Sequence, residues 1–147
     1  MTSVGKFSWC KYIELSQQIN ESYQDENEAR ARCGISRAYY GAFHVVIDYM
    51  KEQDIFQNDL GEGSHQKVIG DCVQFSKSAN KDAGRLWGKL AEGLKRLKNM
   101  RVQADYKDYY FKDNRQVFHM KPELQKAVGF AEKLQGEVCD LREAERR

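Results

Sequence analysis

Gly34–Met50 reads GISRAYYGAFHVVIDYM. Wound at about 100° per residue, Ile35, Tyr39, Ala42, Phe43, Val46 and Met50 fall on one side of a helix, and Arg37, Tyr40, His44 and Asp48 gather on the opposite side. An apolar stripe would anchor such a helix while four polar groups of complementary type share the other arc. Upstream, Asp25 followed by Glu28 has the form of a capping box, so the helix is predicted to run from there to about Glu52. Gly34 and Gly41 lie inside it, each about 1 kcal/mol worse than alanine in a helix. Their presence points to close approach of another backbone, or to ordinary helix packing.

On the N-terminal side, residues 7–22 carry Trp9, Tyr12, Ile13, Leu15 and Ile19 at helical spacing, and Asn20–Gln24 reads as a connection. Beyond the central helix, Asp54–Gly63 is a polar loop, and Ser64 is the expected N-cap of a short helix over His65–Phe75 with Val68, Ile69, Cys72 and Phe75 inward. Ser76–Lys81 is a second break in which Asn80 can cap the next helix. A second long helix is predicted over residues 82–107, with Trp87, Leu90, Leu94, Leu97 and Ala104 as its stripe. Residues 113–120 read as a loop, Pro122 suits a helix's first turn, and Leu124, Val128, Ala131, Leu134, Val138 and Leu141 mark a last helix whose charged end, REAERR, is expected to fray. No strand pattern of period two is visible. The expected fold is an all-α bundle of about five helices, partly up-and-down. It forms one domain over residues 1–147 with its core at about 7–140.

Composition narrows the function classes. Hydrophobic residues make up 41% and charged residues 31%, a soluble balance, and the net charge of +2 gives no global field for nucleic acid, so any anion site must be a local cluster. Cys10, Cys33, Cys72 and Cys139 form no CxxC pair, which argues against zinc and for reduced thiols. No window has the roughly 20 apolar residues of a membrane span, and the N-terminus lacks a signal-peptide core. A cytoplasmic protein is expected, with no metal and no cofactor.

Three clusters could carry chemistry. Arg37, Tyr40 and His44 recur on one helix face, either as an anion site with a proton-exchanging imidazole or as a structural network. On the second long helix, Arg101 lies between Leu90 and Leu94 on the wheel, with Asp105 one turn on and Tyr106 beside it. A charge on an apolar stripe is expensive unless paired. Either the stripe's end lines a polar cleft or it meets a partner subunit. Lys95–Lys112 interleaves Lys95, Arg96, Lys98, Arg101, Lys107 and Lys112 with Tyr106, Tyr109, Tyr110 and Phe111, a pattern that can bind single-stranded nucleic acid by charge and stacking. Gly63–His65 opens a helix that could hold an anion or be a capped turn. Arg115 and His119 read as surface residues.

Ser36–His44 (SRAYYGAFH), Gly63–Ile69 (GSHQKVI) and Arg101–Tyr106 (RVQADY), in this order and spacing, resemble the HEPN superfamily of small helical domains. The resemblance covers about residues 7–140. It implies a four- or five-helix bundle, usually a homodimer whose Arg motifs meet across the interface. Many members are metal-independent ribonucleases of toxin–antitoxin or antiphage systems. Others bind RNA or nucleotides, or act as partner subunits beside a nucleotidyltransferase encoded nearby. The family's nuclease motif is an Arg followed after four to six residues by a His. Arg101 matches the Arg, and Tyr106 stands where the His would be. A phenol with its ordinary pKa near 10 is a weak base at neutral pH, so His44 is the expected imidazole, provided the two long helices pack with their polar arcs converging. The resulting expectation assigns chemistry to Arg101, Asp105, Tyr106 and His44, and substrate contact to Arg37, Tyr40, His65 and Lys98. RNA cleavage by a homodimer is the first reading, and a non-catalytic scaffold in a larger complex is the second.

Overall fold

The computed structural model describes residues 6–24, 27–56, 61, 63–78 and 80–146. They form five α-helices: α1 (Cys10–Glu21), α2 (Glu28–Glu52), α3 (Ser64–Phe75), α4 (Lys81–Tyr106) and α5 (Lys121–Glu145). Between the last two lies a hairpin of two short strands, β1 (Phe111–Lys112) and β2 (Arg115–Gln116). The all-α bundle is therefore observed.

α2 is the central post, packed against α1, α4 and α5. Its N-cap is Asn27, whose side chain accepts a hydrogen bond from the Arg30 amide at 3.1 Å. The expected cap, Asp25, lies outside the described residues. Every residue of the apolar stripe, Ile35 to Met50, is buried. The opposite arc is only half-exposed, because the chain around the start of α1 folds over it. Trp9 stacks on His44 at 3.8 Å between centroids, the Arg37 guanidinium lies 5.0 Å from the Tyr12 ring centre, and Lys6 reaches Asp48 at 3.8 Å. Gly41 permits this approach: a Cβ there would stand 2.8 Å from Ile13 Cγ1 and 3.0 Å from the Ile13 backbone nitrogen. The close backbone approach expected of the two glycines is found at Gly41. Gly34 instead faces the side chains of Leu124 and Ile19.

α3 begins differently from expectation. Gly63 is its N-cap, with φ of 80°, and no side-chain cap bond forms. Ser64 is already helical and buried, because the left-handed turn at Gly63 directs the chain into the helix. α4 starts as expected, the Asn80 side chain accepting from the Ala83 amide at 3.1 Å. The same Asn80 donates to the Ala144 carbonyl at 3.2 Å, tying the start of α4 to the end of α5. Residues 113–120 are not wholly a loop. Asp113 and Asn114 take φ of 50° and 64°, the paired positive angles of a type I′ turn, and they close a two-residue ladder, Phe111 opposite Gln116 and Lys112 opposite Arg115. Pro122 sits in the first turn of α5. The charged end expected to fray is helical as far as Glu145, whose carboxylate accepts from the Tyr49 hydroxyl and, at 3.3 Å, from the Trp87 indole; Arg147 lies outside the described residues. Arg142 holds Glu52 with two bonds of 3.0 and 3.1 Å.

One apolar cluster runs through all five helices, with Trp87, Tyr39, Tyr49 and Phe43 its largest fully buried members. All four cysteines are free thiols, and only Cys72 is buried. Among the described residues no helix is long and apolar enough to cross a membrane. The glycines provide a direct check on packing. Gly129 is exposed on α5 with nothing within 4 Å of where an added methyl would sit, so Gly129→Ala should raise the melting temperature by roughly 2–4 °C through helix propensity. Gly41→Ala gains the same propensity but drives a methyl into the α1 backbone, so it should lower stability by about 1–3 kcal/mol in thermal or chemical denaturation.

Candidate functional site

The site is built where α4 ends against α2. A helix leaves its last carbonyls without intrahelical donors. Here Arg32 of α2 supplies them: its guanidinium donates to the carbonyls of Gln103 at 3.1 Å, Ala104 at 3.2 Å, Lys107 at 2.5 Å and Asp108 at 3.3 Å. Glu28 orients Arg32 from one turn earlier at 2.8 Å. A cation at a helix C-terminus also suits the helix dipole. This clamp fixes where the final turn of α4, with Arg101, Asp105 and Tyr106, faces α2. Arg32 is not among the residues that the sequence singles out. The Glu28–Arg32 spacing marks an intrahelical pair, and nothing in it shows that Arg32 reaches α4.

Arg101 is 5% exposed. Its guanidinium lies 5.4, 5.3 and 5.2 Å from the ring centres of Tyr39, Tyr40 and Tyr106, and Nη1 donates to the Tyr106 hydroxyl at 3.0 Å. Asp105 is a looser neighbour, its Oδ2 3.9 Å from Nη1, and it accepts from the Ser36 hydroxyl at 3.0 Å. The desolvated charge is thus met mainly by aromatic faces, each able to contribute about 2 kcal/mol in such surroundings. Nε of Arg101 is buried and has no hydrogen-bond partner among the described residues. The cage therefore holds a charged donor with unused capacity. Tyr106, 68% exposed, is its outer wall.

The imidazole in contact with this cage is His65. Its Nδ1 lies 2.5 Å from the Tyr39 hydroxyl, and its ring stacks on Phe43 at 4.5 Å with the edge of Tyr40 at 6.0 Å. Burial lowers its pKa, and the nearby charges of Arg101, Lys98 and His44 lower it further. Burial raises the Tyr39 pKa, so the phenol stays protonated. We assign Tyr39 as donor to Nδ1 of a neutral imidazole, which leaves Nε2 as the N–H nitrogen. His44 occupies the other arc of α2, stacked under Trp9. Burial lowers its pKa too, with Asp48 raising and Lys51 lowering it.

Of the residues singled out from sequence, Arg101, Asp105, Tyr106, Tyr40, His65 and Lys98 come together here. Arg37 stands apart from the cage, over Tyr12, and lines an open groove of about 380 Å³ that also has Ser36 and Asp105 in its wall. Arg115 and His119 are exposed, as expected. Tyr39, a core position on the helical wheel, is the residue that joins imidazole to guanidinium. Among the described residues no group of three or more His, Cys, Asp or Glu is arranged to hold a metal ion.

Both histidines favour the neutral form in the folded state, while the unfolded chain takes up protons at the ordinary value near 6.5. The unfolded state therefore binds more protons as pH drops below about 6.5, and stability falls with it. A two-dimensional NMR titration should place the His65 midpoint below 6.5, and Arg101→Gln should move it upward by removing a neighbouring positive charge. A His65 midpoint unchanged by that substitution would separate the two side chains electrostatically. Compared with known proteins, the chain matches no family model, no curated protein and no solved structure.

Proposed function

We propose that this chain is a HEPN-like protein that binds single-stranded RNA and cleaves it without a metal, as a homodimer of a cytoplasmic defence or toxin–antitoxin system. The supporting observation is the buried Arg101 guanidinium, with Nε unpaired, in one aromatic cage with the neutral imidazole of His65. A phosphate oxygen would take the place of the Tyr106 hydroxyl on Nη1, and the exposed Tyr106 ring would swing out to stack on a base. Tyr109 and Phe111, also exposed on the same turn of chain, extend that stacking surface, and Lys98 adds charge.

In the proposed reaction the ribose 2′-oxygen attacks phosphorus, the P–O5′ bond breaks, and a 2′,3′-cyclic phosphate forms. For His65 to take the 2′-hydroxyl proton, the Tyr39 hydroxyl turns away from Nδ1, which the depressed pKa keeps unprotonated at neutral pH, and water protonates the departing 5′-oxygen. Arg101 balances charge on the phosphoryl oxygens, and Asp105, held by Ser36, limits how Arg101 can turn. Tyr106 in the His position of the family motif is then a lid and stacking surface, and the base comes from α3.

Labelled single-stranded RNA incubated with the protein and a chelator tests this directly. Arg101→Gln should slow cleavage by about 10²–10³-fold, and His65→Asn by about 10²–10⁴-fold, with circular dichroism confirming an unchanged helix content. Equal cleavage by wild type and Arg101→Gln would remove the assignment. The second reading, a non-catalytic scaffold, draws on the run of exposed aromatics Tyr106, Tyr109, Phe111 and Phe118 beside the motif. It predicts no RNA cleavage by the wild type and loss of the dimer on Tyr106→Ala in light scattering.

A further inference from the structure

The open groove of about 380 Å³ between the first half of α2 and the last turn of α4 borders the Arg101 cage through Asp105. Its size falls within the roughly 300–1,000 Å³ of small-molecule sites. Of its polar lining, Arg32 is fully engaged, with its guanidinium on Glu28 and on the carbonyls that end α4. Arg37 is not. One face of its guanidinium lies on Tyr12, 5.0 Å from the ring centre, and its N–H edge makes no hydrogen bond or ion pair among the described residues.

Asp105 stands in the same lining. Its Oδ2 accepts from the Ser36 hydroxyl at 3.0 Å and lies 3.9 Å from Arg101, while Oδ1 has no partner among the described residues. Arg37 and Asp105 thus share one groove with opposite charges and do not pair with each other. Tyr12 holds one and Ser36 the other. What remains is a donor edge and an acceptor oxygen, with room for a planar group to engage both.

We infer that this groove takes a guanine base of single-stranded RNA, with Asp105 accepting from its N1–H and N2 amine and Arg37 donating to its O6 and N7. Guanine alone among the four bases sets two adjacent donors beside two adjacent acceptors, and a guanidinium is the usual partner of the O6/N7 edge. The carboxylate keeps the capacity for both donors, since Oδ1 is unused and Oδ2 accepts a single bond. The inference rests on the reading that the Arg101 cage holds RNA: a phosphate on that guanidinium brings a neighbouring base to Asp105.

The test uses fluorescence anisotropy on the full chain with labelled 2′-O-methyl oligouridylates, which resist cleavage, carrying one central guanine, hypoxanthine or adenine. Wild type should bind the guanine probe about tenfold or more tighter than the hypoxanthine probe, which lacks only the N2 amine, and tighter still than the adenine probe. Asp105→Asn replaces one acceptor by a donor and should lower the guanine-to-adenine ratio about tenfold; the ratio cancels any change at Arg101. Arg85→Gln, at an exposed arginine outside the groove, should leave the ratio as it is. Equal binding of the three probes by wild type overturns the inference, as does an unchanged ratio in Asp105→Asn or an equal loss in Arg85→Gln. Metal-free RNA cleavage with no guanine preference also overturns it and leaves the reading of the cage standing. Guanine-selective binding without cleavage supports it and removes the cleavage step alone.

Discussion

A guanidinium taken out of water loses several kcal/mol of hydration unless the protein replaces it. At Arg101 the replacement is unusual in kind. One phenol oxygen accepts, one carboxylate stands just beyond hydrogen-bond range, and three tyrosine rings turn their faces to the charge. Those rings belong to α2 and α4, so the relative placement of these helices is set by the need to keep the charge solvated by π density. Arg32 acts on the same junction from the other direction, by satisfying the carbonyls that α4 leaves open. Two arginines, one buried and one spanning, thus fix one helix end against its neighbour. His65 is brought to the same place by α3, through Tyr39.

Most of the architecture is legible in the sequence because helical periodicity is a long signal. The stripes on α2, α4 and α5 each repeat over several turns, and Asn80 announces the start of α4 without ambiguity. The misses are short or tertiary. A two-residue ladder has no periodicity to detect; only the Asp113–Asn114 pair hints at it, through the tolerance of these residue types for positive φ. Ser64 has the chemistry of a cap, yet the left-handed Gly63 before it takes the position. The end of α5 looks frayed from charge alone, but its carboxylate meets a phenol and an indole that come from 96 and 58 residues away in sequence.

The candidate site shows the same divide. That Arg101 would be buried and answered by polar groups is implied by its place on the apolar stripe of α4. Which imidazole would join it is not. A helical wheel reports the direction of a side chain, not its neighbour, and His44 points correctly away from the core only to be roofed by Trp9. Tyr40 shares that polar arc but lies far enough toward α4 to reach Arg101. One arc of α2 is therefore divided between two neighbours, and the division rests on where the aromatic residues at the start of α1 happen to fold.

The face-to-face stack of Trp9 on His44, at 14° between planes, has an optical consequence. An imidazolium quenches an indole it touches, whereas a neutral imidazole does so far less. Trp87, the chain's other indole, sits in the core against Tyr49 and Phe75 with its N–H on the Glu145 carboxylate, so the part of the acid response that His44→Gln abolishes is the part that reports on Trp9. The first helix thereby carries its own lamp, and its docking onto the central post can be followed in a cuvette without any label.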